Sequence, residues 1–180
     1  ATYILTYNAG ANGIISGTSP QTVNHGDNGS AVTAIPNTGY HFVDWSDGST
    51  ANPRTDSNVT ANISVTANFA INKYTLTTNT EGSGSISKNP NQSNYNHGTI
   101  IQLIAEPANG WNFSRWSGDI SGSENPISVT MNNNNTVTAV FIQSAFTLTI
   151  NVTGSGSVSR LPDQASYNSG TLVQLTPIHT

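Results

Sequence analysis

The sequence predicts an all-β protein made of tandem repeat units of about 71 residues, with no substantial helix. Three observations carry this. The stretch Gly39-Tyr40-His41-Phe42-Val43-Asp44-Trp45-Ser46 recurs as Gly110-Trp111-Asn112-Phe113-Ser114-Arg115-Trp116-Ser117, and Trp45 and Trp116 lie 71 residues apart. Thr, Val and Ile, which favour strands, alternate with turn-forming Asn and Gly. No stretch of 10 or more residues shows helical periodicity.

The repeat extends well beyond the aromatic stretch. Tyr3-Ile4-Leu5-Thr6 returns as Tyr74-Thr75-Leu76-Thr77 and Phe146-Thr147-Leu148-Thr149. Asn24-His25-Gly26 returns as Asn96-His97-Gly98, then as Asn168-Ser169-Gly170. Asn52-Pro53 matches Asn125-Pro126, and Val65-Thr66-Ala67-Asn68-Phe69 matches Val137-Thr138-Ala139-Val140-Phe141. The division that follows is repeat 1 over 1–70, repeat 2 over 71–142 and the N-terminal half of a third over 143–180. The third copy reaches Thr180 before its aromatic stretch, so the chain reads as a piece of a longer repeat protein.

Repeat 2 is the cleaner copy. Tyr74 to Thr78 alternates with period two, Glu81-Gly82-Ser83-Gly84 turns, and Ser85 to Lys88 returns, which predicts a hairpin. The third copy predicts the same hairpin over Phe146 to Arg160, followed by a strand at Leu172 to Thr176. After Tyr95-Asn96-His97-Gly98, a strand is expected from Thr99 to Glu106, stopped by Pro107 and Asn109-Gly110. Trp111 to Ser117 is the signature strand; simple alternation puts Trp111, Phe113 and Arg115 on one face and Trp116 on the other. Ile127 to Met131 and Thr136 to Phe141 are expected to close the unit as a second hairpin. The connectors Ala70-Ile71-Asn72-Lys73 and Ile142-Gln143-Ser144-Ala145 are short, which predicts a semi-rigid array.

Composition excludes several functions. The formal charge is −4, and the five basic residues (Arg54, Lys73, Lys88, Arg115, Arg160) are scattered, so there is no footprint for nucleic acid. No apolar run nears the roughly 20 residues of a spanning helix, and the absence of cysteine excludes disulfides and thiol chemistry. No two histidines fall at chelating spacing, so no metal and no cofactor is expected. Acidic residues do not pair consistently between copies, which argues against glycoside hydrolysis, and no Ser-His-Asp grouping stands out. The expectation is a chain that is not an enzyme.

The pattern from Tyr74 to Phe141 joins Tyr74-x-Leu76-Thr77, Gly82-Ser83-Gly84-Ser85-Ile86, Tyr95, Gly98-Thr99 and Gly110-Trp111-x-Phe113-x-x-Trp116-Ser117-Gly118. It continues with Asn125-Pro126-x-x-Val129-Thr130-Met131 and Thr136-Val137-Thr138-Ala139-x-Phe141. It resembles the divergent InlB B-repeat (Listeria–Bacteroides repeat) family of bacterial surface proteins. The resemblance implies tandem units in secreted or surface-anchored proteins, often as spacers, in a β-grasp-like or sandwich-like fold with no general catalytic residues. The missing helix points to an all-β variant.

The expected function is therefore a non-catalytic structural or spacer segment of a bacterial cell-surface or secreted protein. Its expected partners are neighbouring repeats. Trp45, Trp116, Phe42, Phe113, Phe69 and Phe141 are assigned to the core, because a unit this small needs every large side chain it has. Tyr40 and Trp111 are the candidates for ligand binding, since an exposed ring can stack on a sugar. The alternatives are an adhesion or carbohydrate-binding module that meets surface glycans, or a filament subunit that self-associates through strand edges.

Overall fold

The computed structural model describes residues 1–179; Thr180, the last residue of the predicted third segment, lies outside them. Eighteen strands and no helix occur among the described residues. In chain order they begin with β1 (Thr2–Ala9), β2 (Gly13–Ser16), β3 (Gln21–Asn24), β4 (Thr33–Pro36), β5 (Tyr40–Trp45) and β6 (Ile63–Ile71). There follow β7 (Lys73–Tyr74), β8 (Leu76–Glu81), β9 (Gly84–Asn89), β10 (Tyr95–Asn96), β11 (Ile100–Pro107) and β12 (Trp111–Gly118). The last six are β13 (Ile127–Thr130), β14 (Asn135–Gln143), β15 (Ala145–Phe146), β16 (Ser157–Leu161), β17 (Tyr167–Asn168) and β18 (Gln174–Ile178).

The chain divides into two compact units. The first holds Ala1–Tyr74 with Asn94–Thr99 and Met131–Asn133; the second holds Thr75–Ser93, Ile100–Thr130 and the described part of Asn134–Thr180.

In the first unit one sheet runs β3-β1-β6-β5, and β2 pairs with β4 as a separate ribbon. The central strand is β6, parallel to β1 (Leu5 opposite Ile63) and antiparallel to β5 (Trp45 opposite Ala67). A parallel pair needs a long crossover, and here everything from β2 to β5 supplies it. Strand alternation sends Val65 and Ala67 of β6 and Leu5 and Tyr7 of β1 inward. They form one core with Val32, Ala34, Val59 and a fully buried Trp45.

The second unit repeats this plan. One sheet is β12-β14-β8, with β14 parallel to β8 and antiparallel to β12, and another is β13-β11-β9. In β11 the apolar Ile101, Leu103 and Ala105 are buried, while Gln102 and Glu106 between and beyond them are exposed. Trp116 is fully buried. A glycine serves each copy at an equivalent point: a Cβ on Gly13 would overlap the Phe69 ring, and one on Gly84 the Phe141 ring. The close approach of ring to backbone therefore requires glycine there.

The fold corrects four expectations. The expected hairpin of Tyr74–Thr78 with Ser85–Lys88 does not form: β8 pairs with β14, and β9 with β11. The same holds in the third copy, where β16 pairs with β18. Nor do Ile127–Met131 and Thr136–Phe141 pair, because β13 lies beside β11 and β14 beside β12. At both of these turns in the second unit the chain arches from one sheet into another instead of folding back within one. The predicted connectors are mostly strand, with only Asn72 between β6 and β7 and only Ser144 between β14 and β15.

The fourth correction concerns the signature strand. Pairing of β12 with β14 jumps between Phe113 and Arg115, so Ser114 is a bulge, and Val43 is its counterpart between Phe42 and Asp44. One extra residue shifts the side-chain parity of everything after it. Phe113 and Trp116 therefore share a face, with ring centroids 5.1 Å apart, as do Phe42 and Trp45 at 5.8 Å.

Because Trp116 is sealed in a unit with few other large side chains, Trp116→Ala is expected to destabilise the second unit by about 3–5 kcal/mol. Chemical denaturation followed by hydrogen exchange of the β14 amides measures this; an unchanged transition would refute the core assignment.

Candidate functional site

Two constructions are built twice in this chain, and they are the strongest candidates for what its sequence is kept to make. The first surrounds the tryptophan. A buried indole needs a partner for its N–H. Trp45 Nε1 donates to the Ala51 carbonyl at 2.9 Å, and Trp116 Nε1 donates to the Glu124 carbonyl at 2.9 Å. The next residue in each case is the asparagine of Asn-Pro. Asn52 Nδ2 donates to the Ala34 carbonyl (2.8 Å) and its Oδ1 accepts the Ala34 N–H (2.9 Å). Asn125 does the same to Ala105, at 2.8 and 2.9 Å. The side-chain amide thus bonds a strand residue as another strand would, which explains why Asn-Pro recurs in step with the tryptophan.

The second construction is a clasp at the single residue between successive strands. In the first unit the Asn72 N–H donates to the Gly39 carbonyl at 2.8 Å, and the Asn72 carbonyl accepts the His97 N–H at 2.8 Å. His41 Nδ1 lies 2.8 Å from Asn72 Oδ1. In the second unit the Ser144 N–H donates to the Gly110 carbonyl, and the Ser144 carbonyl accepts the Ser169 N–H, both at 2.8 Å. Asn112 Nδ2 donates to Ser144 Oγ at 2.9 Å, where His41 served before. The His25 N–H makes the corresponding bond to the Ala1 carbonyl at 2.9 Å. Gly39 and Gly110 both have φ near +80° (82° and 79°), and a Cβ there would strike His97 or Ser169. Glycine meets both demands at once.

The residues singled out in the sequence fall as follows. Trp45 and Trp116 are fully buried and Phe141 nearly so, while Phe42, Phe69 and Phe113 are half-buried and packed edge-to-face or tilted around them. Tyr40 and Trp111 are half-buried as well. The parity shift at the bulge places them on the same side of the strand as the tryptophan and not opposite it. Trp111 rests against Gly82, where a Cβ would come within 2.8 Å of its ring. Among the described residues no group of three or more His, Asp or Glu side chains is placed to hold a metal ion, and no helix is long and apolar enough to cross a membrane.

Sequence reasoning missed a charge cluster in the first unit. Arg54, only 6% exposed, lies with its guanidinium carbon 5.5 Å from the Trp45 ring centroid. It donates to Asp56 through Nε (2.8 Å) and Nη2 (2.7 Å), and through Nη1 to Asp47 at 2.9 Å. Tyr7 Oη donates at 2.7 Å to Asp56 Oδ2, the oxygen that also accepts from Arg54 Nε. Hydrogen bonds from Arg54 hold the Asp56 carboxyl below the usual carboxylate range, against a smaller opposing effect of burial. For Asp47, burial acts upward, but the bonds from Arg54 and the Ser49 N–H together bring it down. Burial pushes the Tyr7 hydroxyl up, helped by its bond to Asp56. The second copy has none of this, because Ile127 and Val129 stand where Arg54 and Asp56 are. The one available signal was an arginine directly after Asn-Pro in a chain with only five basic residues.

A carboxylate whose folded pKa is depressed stabilises the fold above its unfolded value, near 4, and that contribution is lost as pH falls through the folded value. Below about pH 4 the first unit is therefore expected to lose stability, while the Ile127-containing unit changes less. Hydrogen exchange of β6 against β14 amides across that range measures it. Arg54→Ala is expected to cost about 3 kcal/mol at neutral pH, because it strands the largely buried Asp56 carboxylate, whereas Asp47, 42% exposed, remains solvated.

Comparison with known proteins bears on the same pattern. The family model for the divergent InlB B-repeat domain matches residues 3–73 and again residues 74–145, well over half of the chain. No curated protein and no solved structure matches the chain. Two consecutive matches, each spanning one aromatic stretch, one Asn-Pro clamp and one clasp residue, show that this chain belongs to the divergent InlB B-repeat domain family.

Proposed function

We propose that the chain is a non-catalytic spacer segment of a bacterial cell-surface or secreted protein, in which its repeats hold other parts of a longer polypeptide at a distance. One observation carries this reading. What the two copies keep is geometry, and what they change is chemistry. His41 becomes Asn112, Asp44 becomes Arg115, and the Arg54–Asp56 pair becomes Ile127 and Val129, while the histidine common to His25 and His97 gives way to Ser169 in the third copy. A catalytic or chelating group cannot be exchanged in this way and still act. The indole N–H bond, the asparagine clamp and the clasp at Asn72 or Ser144 survive every exchange.

A parallel strand pair at the centre of each complete copy also suits a segment under tension. Pulling along β1 and β6 shears several backbone bonds together, from Leu5–Ile63 to Ala67 opposite Ala9, instead of opening them one by one. The family membership supports a repeat role and a location outside the cell.

Single-molecule stretching of the chain tests the proposal. The expected record has two discrete unfolding events of similar size, each releasing on the order of 25 nm of chain. Gradual extension without discrete events would contradict a spacer role. So would saturable binding to a glycan array that Trp111→Ala abolishes.

A further inference from the structure

The clasp of the second unit is reached through a turn that carries a reactive pair. Asn-Gly occurs three times in the chain, as Asn12-Gly13, Asn28-Gly29 and Asn109-Gly110. In such a pair the glycine backbone nitrogen can attack the asparagine side-chain carbon, because glycine has no Cβ to obstruct the approach. The attack needs the peptide between the two residues to rotate, and it needs the glycine N–H unbound. The fold treats the three pairs differently.

Two of the three peptides are held. At Asn28-Gly29 the Gly29 N–H donates to the Asp56 carbonyl at 2.9 Å, and Asn28 Oδ1 accepts the Asn58 N–H at 2.9 Å. Both reacting groups are therefore engaged. At Asn12-Gly13 the Asn12 carbonyl accepts the Asn37 N–H at 2.9 Å, and Gly13 is pressed against the Phe69 ring. Asn109-Gly110 is different. These residues form the middle of a turn that the Trp111 N–H closes onto the Ala108 carbonyl at 3.0 Å, with Gly110 at a φ of 79°, the type II pattern. Among the described residues neither the Asn109 carbonyl nor the Gly110 N–H is hydrogen-bonded, so this peptide can rotate without breaking a bond. Asn109 itself is exposed. In the first unit the same turn carries Thr38-Gly39, which has no amide to lose.

We propose that Asn109 is a site of spontaneous deamidation, and that conversion there loosens the clasp of the second unit. Water is the only co-reactant. The Gly110 nitrogen loses its proton and bonds to Asn109 Cγ, the bond from Cγ to the side-chain nitrogen breaks, and ammonia leaves with that proton, giving a cyclic imide. Water then opens the ring. Addition at Cγ gives aspartate. Addition at the main-chain carbonyl gives isoaspartate, whose backbone runs through Cβ and Cγ and is one methylene longer. The longer backbone disturbs a tightly held residue. The Gly110 carbonyl accepts the Ser144 N–H at 2.8 Å, and a Cβ on Gly110 would lie 2.5 Å from Ser169 Oγ. Gly110 therefore cannot shift without giving up one contact or striking the other. The clasp at Asn72, built on Thr38-Gly39, does not age in this way. The inference rests on the clasp geometry and not on the spacer reading.

The test ages the whole chain at neutral and mildly alkaline pH and follows the amide-to-acid mass gain at each Asn-Gly by peptide mapping, with isoaspartate separated by retention. Conversion at Asn109 is expected to be at least about tenfold faster than at Asn12 or Asn28, where hydrogen bonds must break first. It should speed up with pH, because the attacking nitrogen must be deprotonated. In the isolated isoaspartate form the Ser144 amide should exchange with solvent at least about fivefold faster than in the fresh chain, while the Asn72 amide is unchanged. Asn109→Thr, the residue of the first copy, should abolish both the conversion and the change at Ser144. Asn109→Asp should leave Ser144 exchange near that of the fresh chain, since it adds charge without lengthening the backbone. Equal conversion at the three pairs would overturn the site. Unchanged Ser144 exchange in a chain carrying isoaspartate would overturn its effect on the clasp.

Discussion

The structure depends most on a single requirement: an indole can be buried only if its N–H finds an acceptor. In both copies the acceptor is a loop carbonyl, from Ala51 or Glu124, and it must be held in place. The following asparagine holds it by bonding both backbone groups of Ala34 or Ala105. An unmet N–H in this position costs on the order of 1–3 kcal/mol, more than a small unit can spare. Tryptophan, loop and strand are thereby fixed together, and the two sheets of the unit are tied through side chains that lie between them. The bulge at Val43 or Ser114 belongs to the same arrangement, because it turns the tryptophan onto the face already occupied by Phe42 or Phe113.

Within that frame the two copies solve the surroundings differently. The first places a cation against the Trp45 ring and satisfies it with Asp47 and Asp56, and Tyr7 completes the network. The second fills the same region with Ile127 and Val129. A buried ion pair and a well-packed apolar group can be of similar stability, so a repeat can drift between them. What differs is the response to acid, which the charged version feels and the apolar version does not. The clasp shows the same tolerance: Asn72 with His97 and Ser144 with Ser169 preserve the backbone bonds while the side chains change.

Much of this was legible in the sequence. Period-two alternation located β11, β12 and β14 to within a residue or two, and recurrence at 71 residues marked Trp45 and Trp116 as core. Strand partners were not legible. Alternation reports that a segment has an inner and an outer face, but Tyr74–Thr78 and Ser85–Lys88 look the same whether they pair with each other or with more distant strands. The bulges were hidden for a related reason. Ser114 and Val43 are ordinary strand residues, and only the position of the partner reveals that each is extra in its strand, which is why simple alternation puts Trp111 on the face opposite Trp116. Arg54 could be read as one scattered base among five, since its carboxylate partners come from a turn and a loop that only the fold brings together.

The central claim is that Trp45 and Trp116 are locked by their N–H bonds into the body of each unit, while Trp111 is not. Exchange of the three indole protons followed by NMR tests it most directly. The account predicts that the Trp45 and Trp116 indole protons exchange as slowly as the amides of β6 and β14, through global opening only, and that the Trp111 proton exchanges much faster. Rapid exchange of all three, at rates unrelated to unit stability, would contradict it.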